Sequence, residues 1–344
     1  MEKASNNNQE GHYVAYMPQS HETICWGCGL RLMLPSFSPV FKCGWCGAIT
    51  NQNPLKHDSR CCSFWRRVRD RSFLTILIVF MLLIICGGVW ASFPFVFSLG
   101  YIWAAFHSLS TVFFATGTMY SFILVAFRHA GEQPSVLYGS YEVVRKDGLD
   151  NYRFCHYCEK PKSPQTHHCR SCKTCILDMD HHCPFIGNCV GAGNHRLFVT
   201  FLVFAVISNF YAFLMSIYVG WHVWPPLVYD PGYSLEELSK SSVGRFSAEI
   251  LHALANTAFL LSARGIVLIY LCIASVSVEV GIGLLLWQQL QFIYEGKTYL
   301  DHLSSRDGEV GESGWHNISV FFGCPYPISA LRLSSSHTGK SHKK

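Results

Sequence analysis

Residues 73–97 read FLTILIVFMLLIICGGVWASFPFVF, a run of 25 residues without a charged side chain. At a rise of about 1.5 Å per residue, a helix of this length crosses the roughly 30 Å hydrocarbon core of a bilayer. The whole chain is similarly apolar: 50% of its 344 residues are hydrophobic and 14% are charged, whereas soluble domains carry about 25% charge. The sequence therefore predicts a membrane protein and excludes a wholly soluble or disordered one.

Three further apolar regions follow, at residues 103–127, 197–221 and 246–293. Few residues separate the first two runs, so they should form a tight helical hairpin with Pro94 at its bend. The last region, of 48 residues, is too long for a single span of about 17 to 25 residues. We divide it into an interfacial helix and one span at 266–292, with two spans as the alternative.

Charge favours the model with four spans. That model places 24 of the 27 Lys and Arg residues on one side, and the positive-inside rule makes this side cytosolic. Both termini should then be cytosolic, and Asn317 should stay unmodified although it begins a glycosylation sequon. The predicted domains are a cytosolic N-terminal region (1–72), a transmembrane hairpin (73–127), a cytosolic cysteine-rich domain (128–196), span 3 (197–221), a lumenal or extracellular loop with the interfacial helix (222–265), span 4 (266–292) and a cytosolic tail (293–344).

The sixteen cysteines indicate metal sites more than disulfides. Residues 1–20 are polar and lack the apolar core of a secretory signal, so we expect reduced thiols. The net charge of +5 is modest, and the basic residues are spread over all the hydrophilic segments. No nucleic-acid partner is therefore expected.

Seven of these cysteines and five histidines lie in residues 155–189. Pairs of cysteines two residues apart suit tetrahedral zinc, and two closed sites need eight ligands, which leaves at least one group to spare. Counting does not identify the spare thiol, although Cys183 directly follows Asp180-His181-His182. A carboxylate, an imidazole and a thiol together suit acyl transfer through a thioester. The alternative is that the whole loop is a structural zinc knob with Asp180 as a supporting partner.

The loop resembles the DHHC family of protein S-acyltransferases, and the whole chain is similar to its plant members. The resemblance rests on Cys155-x2-Cys158-x9-His168-Cys169-x2-Cys172-x2-Cys175-x4-Asp180-His181-His182-Cys183-x5-Cys189-x4-Asn194-x3-Phe198. The family's domain also lies between a second and a third span. We therefore predict an all-α polytopic membrane protein with four transmembrane helices, a cytosolic zinc-binding cysteine-rich domain between spans 2 and 3, and an N-terminal zinc-ribbon-like module.

The resemblance implies a role for each residue of the motif. Cys183 is the nucleophile, His181 its general base and Asp180 the carboxylate that orients His181. The co-substrate is palmitoyl-CoA or another long-chain acyl-CoA, and the acceptors are proteins with membrane-proximal cysteines. The expected location is an endomembrane (endoplasmic reticulum, Golgi or vesicles) or the plasma membrane. The implied zinc ligands are Cys155, Cys158, His168 and Cys175 at one site and Cys169, Cys172, His182 and Cys189 at the other.

The chain departs from the family pattern in supporting positions. Phe185 stands where the family usually has Trp, which keeps an aromatic wall but loses an indole N–H. The motif after the last span is changed to Thr298-Tyr-Leu-Asp301, which keeps a hydroxyl and a carboxylate. Asn317 and the aromatic residues that follow resemble a C-terminal packing motif. Thr298, Asp301 and Asn317 are therefore expected to support the site.

Cys25, Cys28, Cys43 and Cys46 form two CxxC pairs separated by 14 residues, which resembles a zinc ribbon and predicts a third zinc. This finger either folds a small module or recruits substrate proteins.

Three residues outside both cysteine motifs leave other functions open. Cys61 and Cys62, just before the first span, could be palmitoylation sites. Glu279 in span 4 is a functional candidate or an interhelical contact. The rival functions are a non-catalytic membrane adaptor and a zinc transporter that uses Glu279.

Overall fold

The computed structural model describes residues 21–34, 36, 38–52, 60–132, 139–224, 262–304 and 314–323. They belong to two compact units. The first unit combines residues from 1–58 with residues from 133–168, and the second combines residues from 59–132 with residues from 169–344.

Four long helices in the second unit are apolar enough to cross a membrane, judged by length and composition within the described residues. They are α1 (Arg60–Ser98), α2 (Tyr101–Phe127), α3 (His195–Val223) and α4 (Ala263–Tyr294). The candidate spans are thus the four predicted ones, extended at both ends in α1, α3 and α4 and at the start of α2. The predicted interfacial helix falls in residues 225–261, outside the described part of the chain.

The bend between the first two spans lies beyond Pro94. The α1 helix continues through this proline to Ser98, and the next helix begins at Tyr101. Gly100, between them, has a φ of 113°, a conformation that side chains with a Cβ rarely adopt. The turn therefore depends on Gly100, and the expectation for Pro94 is wrong.

The prediction of an all-α protein is also wrong, because the cysteine-rich segments form short strands. Three or four residues on either side of a zinc knuckle are too few to give a periodic hydrophobic signal. In the described part of the chain the strands are β1 (His21–Ile24), β2 (Arg31–Leu34), β3 (Val40–Lys42), β4 (Ile49–Asn51), β5 (Arg153–Cys155), β6 (Lys160–Lys162), β7 (Thr166–Cys169), β8 (Thr174–Leu177), β9 (His181–Cys183) and β10 (Asn188–Val190).

The helices of the second unit pack closely through small residues. A Cβ on Gly117 of α2 would lie 2.4 Å from the ring of Phe204 on α3, so only glycine permits this approach. Next to Gly117, the hydroxyl of Thr118 lies 2.7 Å from that of Ser208 on α3. Small residues and interhelical hydrogen bonds are typical of helix packing in membranes.

The main apolar core of this unit lies where the helices meet the β9–β10 hairpin. It includes Phe122 of α2, Ile186 of the hairpin turn, and Phe198 and Phe201 of α3. Cys183, at the end of β9, is part of this core and is 8% exposed. Leu74, Leu77 and Met81 of α1 and Ile282 and Leu286 of α4 pack against it.

Two short helices follow α4. The first is α5 (Tyr299–Ser304) and the second is α6 (Trp315–Phe322). Phe321 of α6 is buried with Val199 and Ile293, so this helix packs against the ends of α3 and α4.

Candidate active site and metal centres

The β9–β10 hairpin separates neighbouring residues into two groups. Successive side chains of a strand point to opposite faces, so His182 faces one way and both His181 and Cys183 face the other. His182 pairs with Cys189 across the hairpin. One short strand therefore contributes to two different sites.

The first of these sites is a metal-ligand cluster within the second unit. Its ligand atoms, from Cys169, Cys172, His182 and Cys189, all lie within 4.8 Å of one another. Each of the three sulfurs is 3.5 Å from His182 Nδ1. Tetrahedral zinc with ordinary bond lengths would place sulfur and nitrogen ligands about 3.6 Å apart. The four residues therefore fit a zinc ion, which would tie the hairpin to the preceding knuckle.

The other predicted ligand set is divided between the two units. Cys155, Cys158 and His168 lie in the first unit, with their ligand atoms within 4.8 Å of one another. Cys158 Sγ is 3.2 Å from His168 Nδ1. Cys175 lies on β8 in the second unit. Its place as the fourth ligand stays a prediction.

The N-terminal cysteines form a third cluster, entirely within the first unit. Cys25 Sγ is 3.6 Å from Cys46 Sγ, and Cys28 Sγ is 3.8 Å from Cys43 Sγ. Sulfur ligands of one tetrahedral zinc lie about 3.8 Å apart. All four side chains are at most 1% exposed, so this cluster also fits a buried zinc.

Asp70 of α1 supports the metal cluster of the second unit, a role that was not predicted. Its Oδ2 atom is 3.0 Å from His182 Nε2, the ring nitrogen that does not face the cluster. Arg69 donates to the other carboxylate oxygen at 2.8 Å. A carboxylate behind a metal-ligating histidine fixes the orientation of its ring. The available signal was one acid within a run of arginines at residues 66–71.

His181 and Cys183 lie on the other face of β9, and Asp180 immediately precedes the strand. Asp180 is fully buried, and its Oδ2 atom lies 2.7 Å from His181 Nδ1. His181 in turn interacts with the thiol of Cys183. The three groups form a continuous chain from carboxylate to imidazole to thiol.

The pKa values of these three groups shift in the directions that favour a carboxylate, an imidazolium and a thiolate. Burial alone would raise the pKa of the Asp180 carboxyl, but the hydrogen bond with His181 lowers it to about 2. Burial alone would lower the pKa of His181, but Asp180 and Cys183 raise it to about 9. Burial raises the pKa of the Cys183 thiol, but its interaction with His181 lowers it. The resulting pKa lies below the ordinary value for a cysteine. The contact with His181 therefore favours the thiolate form of Cys183 over that of a buried thiol without such a partner.

Asp180 has two further partners that were not predicted. Gln289 Nε2 of α4 donates to Oδ2 at 3.0 Å, and the backbone N–H of Tyr299 donates to Oδ1 at 2.7 Å. Gln289 Oε1 is also 2.8 Å from His195 Nε2 at the start of α3. These contacts fix the carboxylate between two helices. The only signal in sequence was the pair of glutamines at the end of the last apolar run.

The predicted supporting residues have different surroundings. Thr298 is buried immediately before Tyr299, and Asp301 lies in α5. Asn317 donates to the carbonyl of Tyr294 at 2.9 Å, at the end of α4.

Phe185 and Asn194, two other residues of the motif, also have defined positions. The ring of Phe185 packs 5.3 Å from that of Phe73. Asn194 donates to the Cys189 carbonyl at 2.8 Å.

An apolar cavity of about 190 Å³ lies among the four long helices. Its lining includes Leu77 of α1, Phe114 of α2, Phe201 and Ala205 of α3, and Ile282 of α4. Phe201 and Ala205 also belong to the core that contains Cys183. The cavity and the thiol therefore share one part of the helix bundle.

Glu279 of α4 makes the interhelical contact that was one of its two predicted roles. Asn209 of α3 donates to Glu279 Oε2 at 2.8 Å and to the carbonyl of Ser275 at 2.7 Å. The carboxylate is thereby paired at membrane depth.

Comparison with known proteins identifies the central segment. Residues 149–306 match the family model of the DHHC palmitoyltransferases. Palmitoyltransferase PFA3 of Kluyveromyces lactis is 39% identical over 85 residues, 25% of this chain and 26% of the relative. Probable protein S-acyltransferase 13 of Arabidopsis thaliana is 33% identical over 123 residues, 36% of this chain and 38% of the relative. Palmitoyltransferase ZDHHC16A of Danio rerio is 53% identical over 57 residues, 17% of this chain and 15% of the relative.

The aligned segments thus span well under half of these relatives. The segment they share with this chain nevertheless matches the family model. The likeness to the DHHC palmitoyltransferases therefore concerns residues 149–306 of this chain.

Proposed function

We propose that this protein is a membrane-embedded protein S-acyltransferase. It moves a long-chain acyl group, typically palmitoyl, from acyl-CoA to a cysteine of a cytosolic or membrane protein, through a thioester on Cys183. The observation that carries the proposal is the contact between the buried Asp180 and His181, 2.7 Å apart, beside the Cys183 thiol. A purely structural zinc knob has no need of this arrangement.

The first half-reaction loads the enzyme. The Cys183 proton resides on His181, and the thiolate sulfur bonds to the thioester carbonyl carbon. The bond from that carbon to the CoA sulfur breaks, and the leaving CoA thiolate takes the proton from His181. The second half-reaction reverses these roles: the substrate thiol gives its proton to His181, its sulfur bonds to the acyl carbon, and Cys183 leaves as a thiolate. Each step exchanges one thioester for another.

Asp180 keeps His181 in the orientation and tautomer that this chemistry requires. Because Gln289 and the Tyr299 N–H also bind Asp180, the carboxylate cannot turn toward solvent without breaking three hydrogen bonds. These contacts position the catalytic groups, and Thr298, Asp301 and Asn317 support the same end of the helix bundle.

The cavity among the four helices is suited to the acyl chain, because its lining is apolar and Phe201 and Ala205 extend to the core around Cys183. Burial of the chain there contributes about 0.8 kcal/mol per methylene.

Zinc in each of the three clusters would neutralise thiolates and hold short hairpins that have little core of their own. The proposed ligand sets remain Cys155, Cys158, His168 and Cys175; Cys169, Cys172, His182 and Cys189; and Cys25, Cys28, Cys43 and Cys46.

The same function requires the cysteine-rich loop and both termini to be cytosolic, in an endomembrane or the plasma membrane. The distribution of basic residues supports this topology. Asn317 should then resist glycosylation in cells, with no shift in electrophoretic mobility after glycosidase treatment. A shift that disappears in Asn317→Gln would contradict the topology.

The activity is tested by incubating the detergent-purified protein with alkynyl palmitoyl-CoA. The wild type should incorporate label that hydroxylamine removes, and Cys183→Ser should incorporate none while retaining its zinc. Cys86→Ser, a cysteine substitution within α1, is the matched control and should label normally. If Cys183→Ser keeps the label, the acyl group lies elsewhere, with Cys61 and Cys62 as candidates, and the adaptor function gains support. Loss of zinc in Cys183→Ser would make Cys183 a ligand.

A further inference from the structure

The first unit joins the N-terminal finger, residues 21–52, to a segment that precedes the cysteine-rich motif. We call residues 139–152 the docking segment. Its backbone lies close to the second knuckle of the finger, residues 43–47. The N–H groups of residues 147, 149 and 151 donate to the carbonyls of Trp45, Cys46 and Gly47 at 2.8, 2.9 and 3.1 Å. Three successive carbonyls of the knuckle are thus satisfied from a distant part of the chain.

The docking segment is shaped for this contact by its sequence. Asp147 and Asn151 both have φ near 58°, a left-handed conformation that Asp and Asn tolerate better than most residues. A Cβ on Gly47 would lie 2.7 Å from the Asp150 backbone, so glycine is required at the closest approach. Lys42 Nζ is 2.6 Å from Asp150 Oδ1 across the same junction.

The two segments also share one hydrophobic core. Val144 and Leu149 of the docking segment are 7% and 2% exposed. They pack directly with the four cysteines of the finger and with Ala48. Trp45 Nε1 donates to the carbonyls of Tyr141 and Val144 at 3.1 and 2.9 Å. Without the docking segment, one side of the metal cluster would face water.

The junction leads directly into the next metal cluster. The β3–β4 hairpin of the finger continues through β5 to β6 as one four-stranded sheet. Ile49 N donates to the Tyr152 carbonyl at 2.7 Å, and β4 pairs with β5 in parallel. β5 ends at Cys155, and Cys158 lies in the turn to β6. The finger therefore forms half of the sheet that presents two predicted ligands of the neighbouring site.

We infer that the finger is a structural part of the cysteine-rich fold, so that metal binding at Cys25, Cys28, Cys43 and Cys46 and order at Cys155 and Cys158 are coupled. The DHHC family match begins at residue 149, inside the docking segment, and leaves the finger unassigned. The inference concerns metal binding, and its test does not depend on acyl transfer. It also disfavours a finger that serves only to recruit substrates, because such a module needs no shared core or sheet.

The test uses the full-length, detergent-purified protein, with zinc content and alkylation of each cysteine by N-ethylmaleimide as readouts. Cys25→Ser/Cys28→Ser removes half of the finger's ligands. We expect it to lose more than one zinc and to raise the alkylation rate of Cys155 and Cys158 about tenfold, as local opening does. Cys169, Cys172 and Cys189, in the second unit, are the internal reference and should stay protected.

A second variant changes neither metal ligands nor the finger. Leu149→Ala should raise the alkylation rate of Cys43 and Cys46 about tenfold, whereas the exposed Val143→Ala, in the same segment, should leave it unchanged. Continued protection of Cys155 and Cys158 in the double serine variant, with loss of a single zinc, would overturn the inference. If Cys169, Cys172 and Cys189 also become reactive in Cys25→Ser/Cys28→Ser, the Leu149→Ala variant decides. Faster alkylation of Cys43 and Cys46 in Leu149→Ala supports the coupling, and unchanged protection of these two cysteines refutes it.

Discussion

Replacing Asp70 with alanine removes the carboxylate that lies 3.0 Å from His182 Nε2. The consequences fall mainly on His182, because the side chain of Arg69, the other partner of Asp70, is 46% exposed and can be hydrated instead. The side chain of His182 is 14% exposed and has little access to water. Loss of a carboxylate behind a ligating histidine lowers metal affinity about 10- to 100-fold, which corresponds to about 1.4 to 2.8 kcal/mol.

The assay is competition for zinc with a chromophoric chelator, on the purified protein in detergent. Asp70→Ala should release one zinc at about 10- to 100-fold lower chelator concentration than the wild type, and the remaining zinc should be unaffected. Asp70→Asn keeps an acceptor oxygen, so it should release this zinc at a chelator concentration between those of Asp70→Ala and the wild type. Arg69→Ala keeps the carboxylate and should behave as the wild type. Identical zinc release from Asp70→Ala and the wild type would refute the role of Asp70.

Three further predictions concern the catalytic groups and the helix packing. Gln289→Leu removes the hydrogen bonds to Asp180 and His195 and should slow self-acylation about tenfold, which corresponds to an activation free energy higher by about 1.4 kcal/mol. The control Gln288→Leu, at an exposed position, should not slow it, and equal rates for the two variants would contradict the role of Gln289. Asp180→Asn should lower the pKa of His181 and raise that of Cys183, so the acidic limb of the self-acylation pH profile should move to higher pH; an unmoved limb would show that Asp180 does not act through His181. Gly117→Ala must displace the ring of Phe204 and should destabilise the protein by about 1 to 3 kcal/mol, measured by thermal unfolding in detergent. The control Gly281→Ala, whose added Cβ meets no atom within 4 Å, should leave stability unchanged. Equal melting temperatures for the two variants would argue against the close contact at Gly117.

The sequence predicted those features that depend on local spacing or on the length of an apolar run. The four candidate spans of the described residues followed from the apolar runs together with the distribution of basic residues. Cysteines two residues apart indicated zinc sites, and the family resemblance implied how the ligands of the cysteine-rich loop divide between two of them. The short strands could not be predicted, because zinc and hairpin turns stabilise segments of three or four residues that carry no periodic pattern.

The supporting contacts of the site lay beyond sequence reasoning for a different reason. Asp70 and His182 are 112 residues apart, and Gln289 and Asp180 are 109 residues apart. Nothing local marks either pair, since each is formed only when helices α1 and α4 pack against the β9–β10 hairpin. The docking of the finger on residues 139–152 is also a long-range contact and was not predicted.

The central claim is that Cys183 forms the acyl thioester. Its most direct test is brief incubation of the purified protein with palmitoyl-CoA, acid quenching and peptide mapping by mass spectrometry. We expect one palmitoyl group on the peptide containing Cys183, lost after hydroxylamine and absent from the His181→Ala variant at the same early time. A palmitoyl group found only on other cysteines, with the Cys183 peptide unmodified, would contradict it.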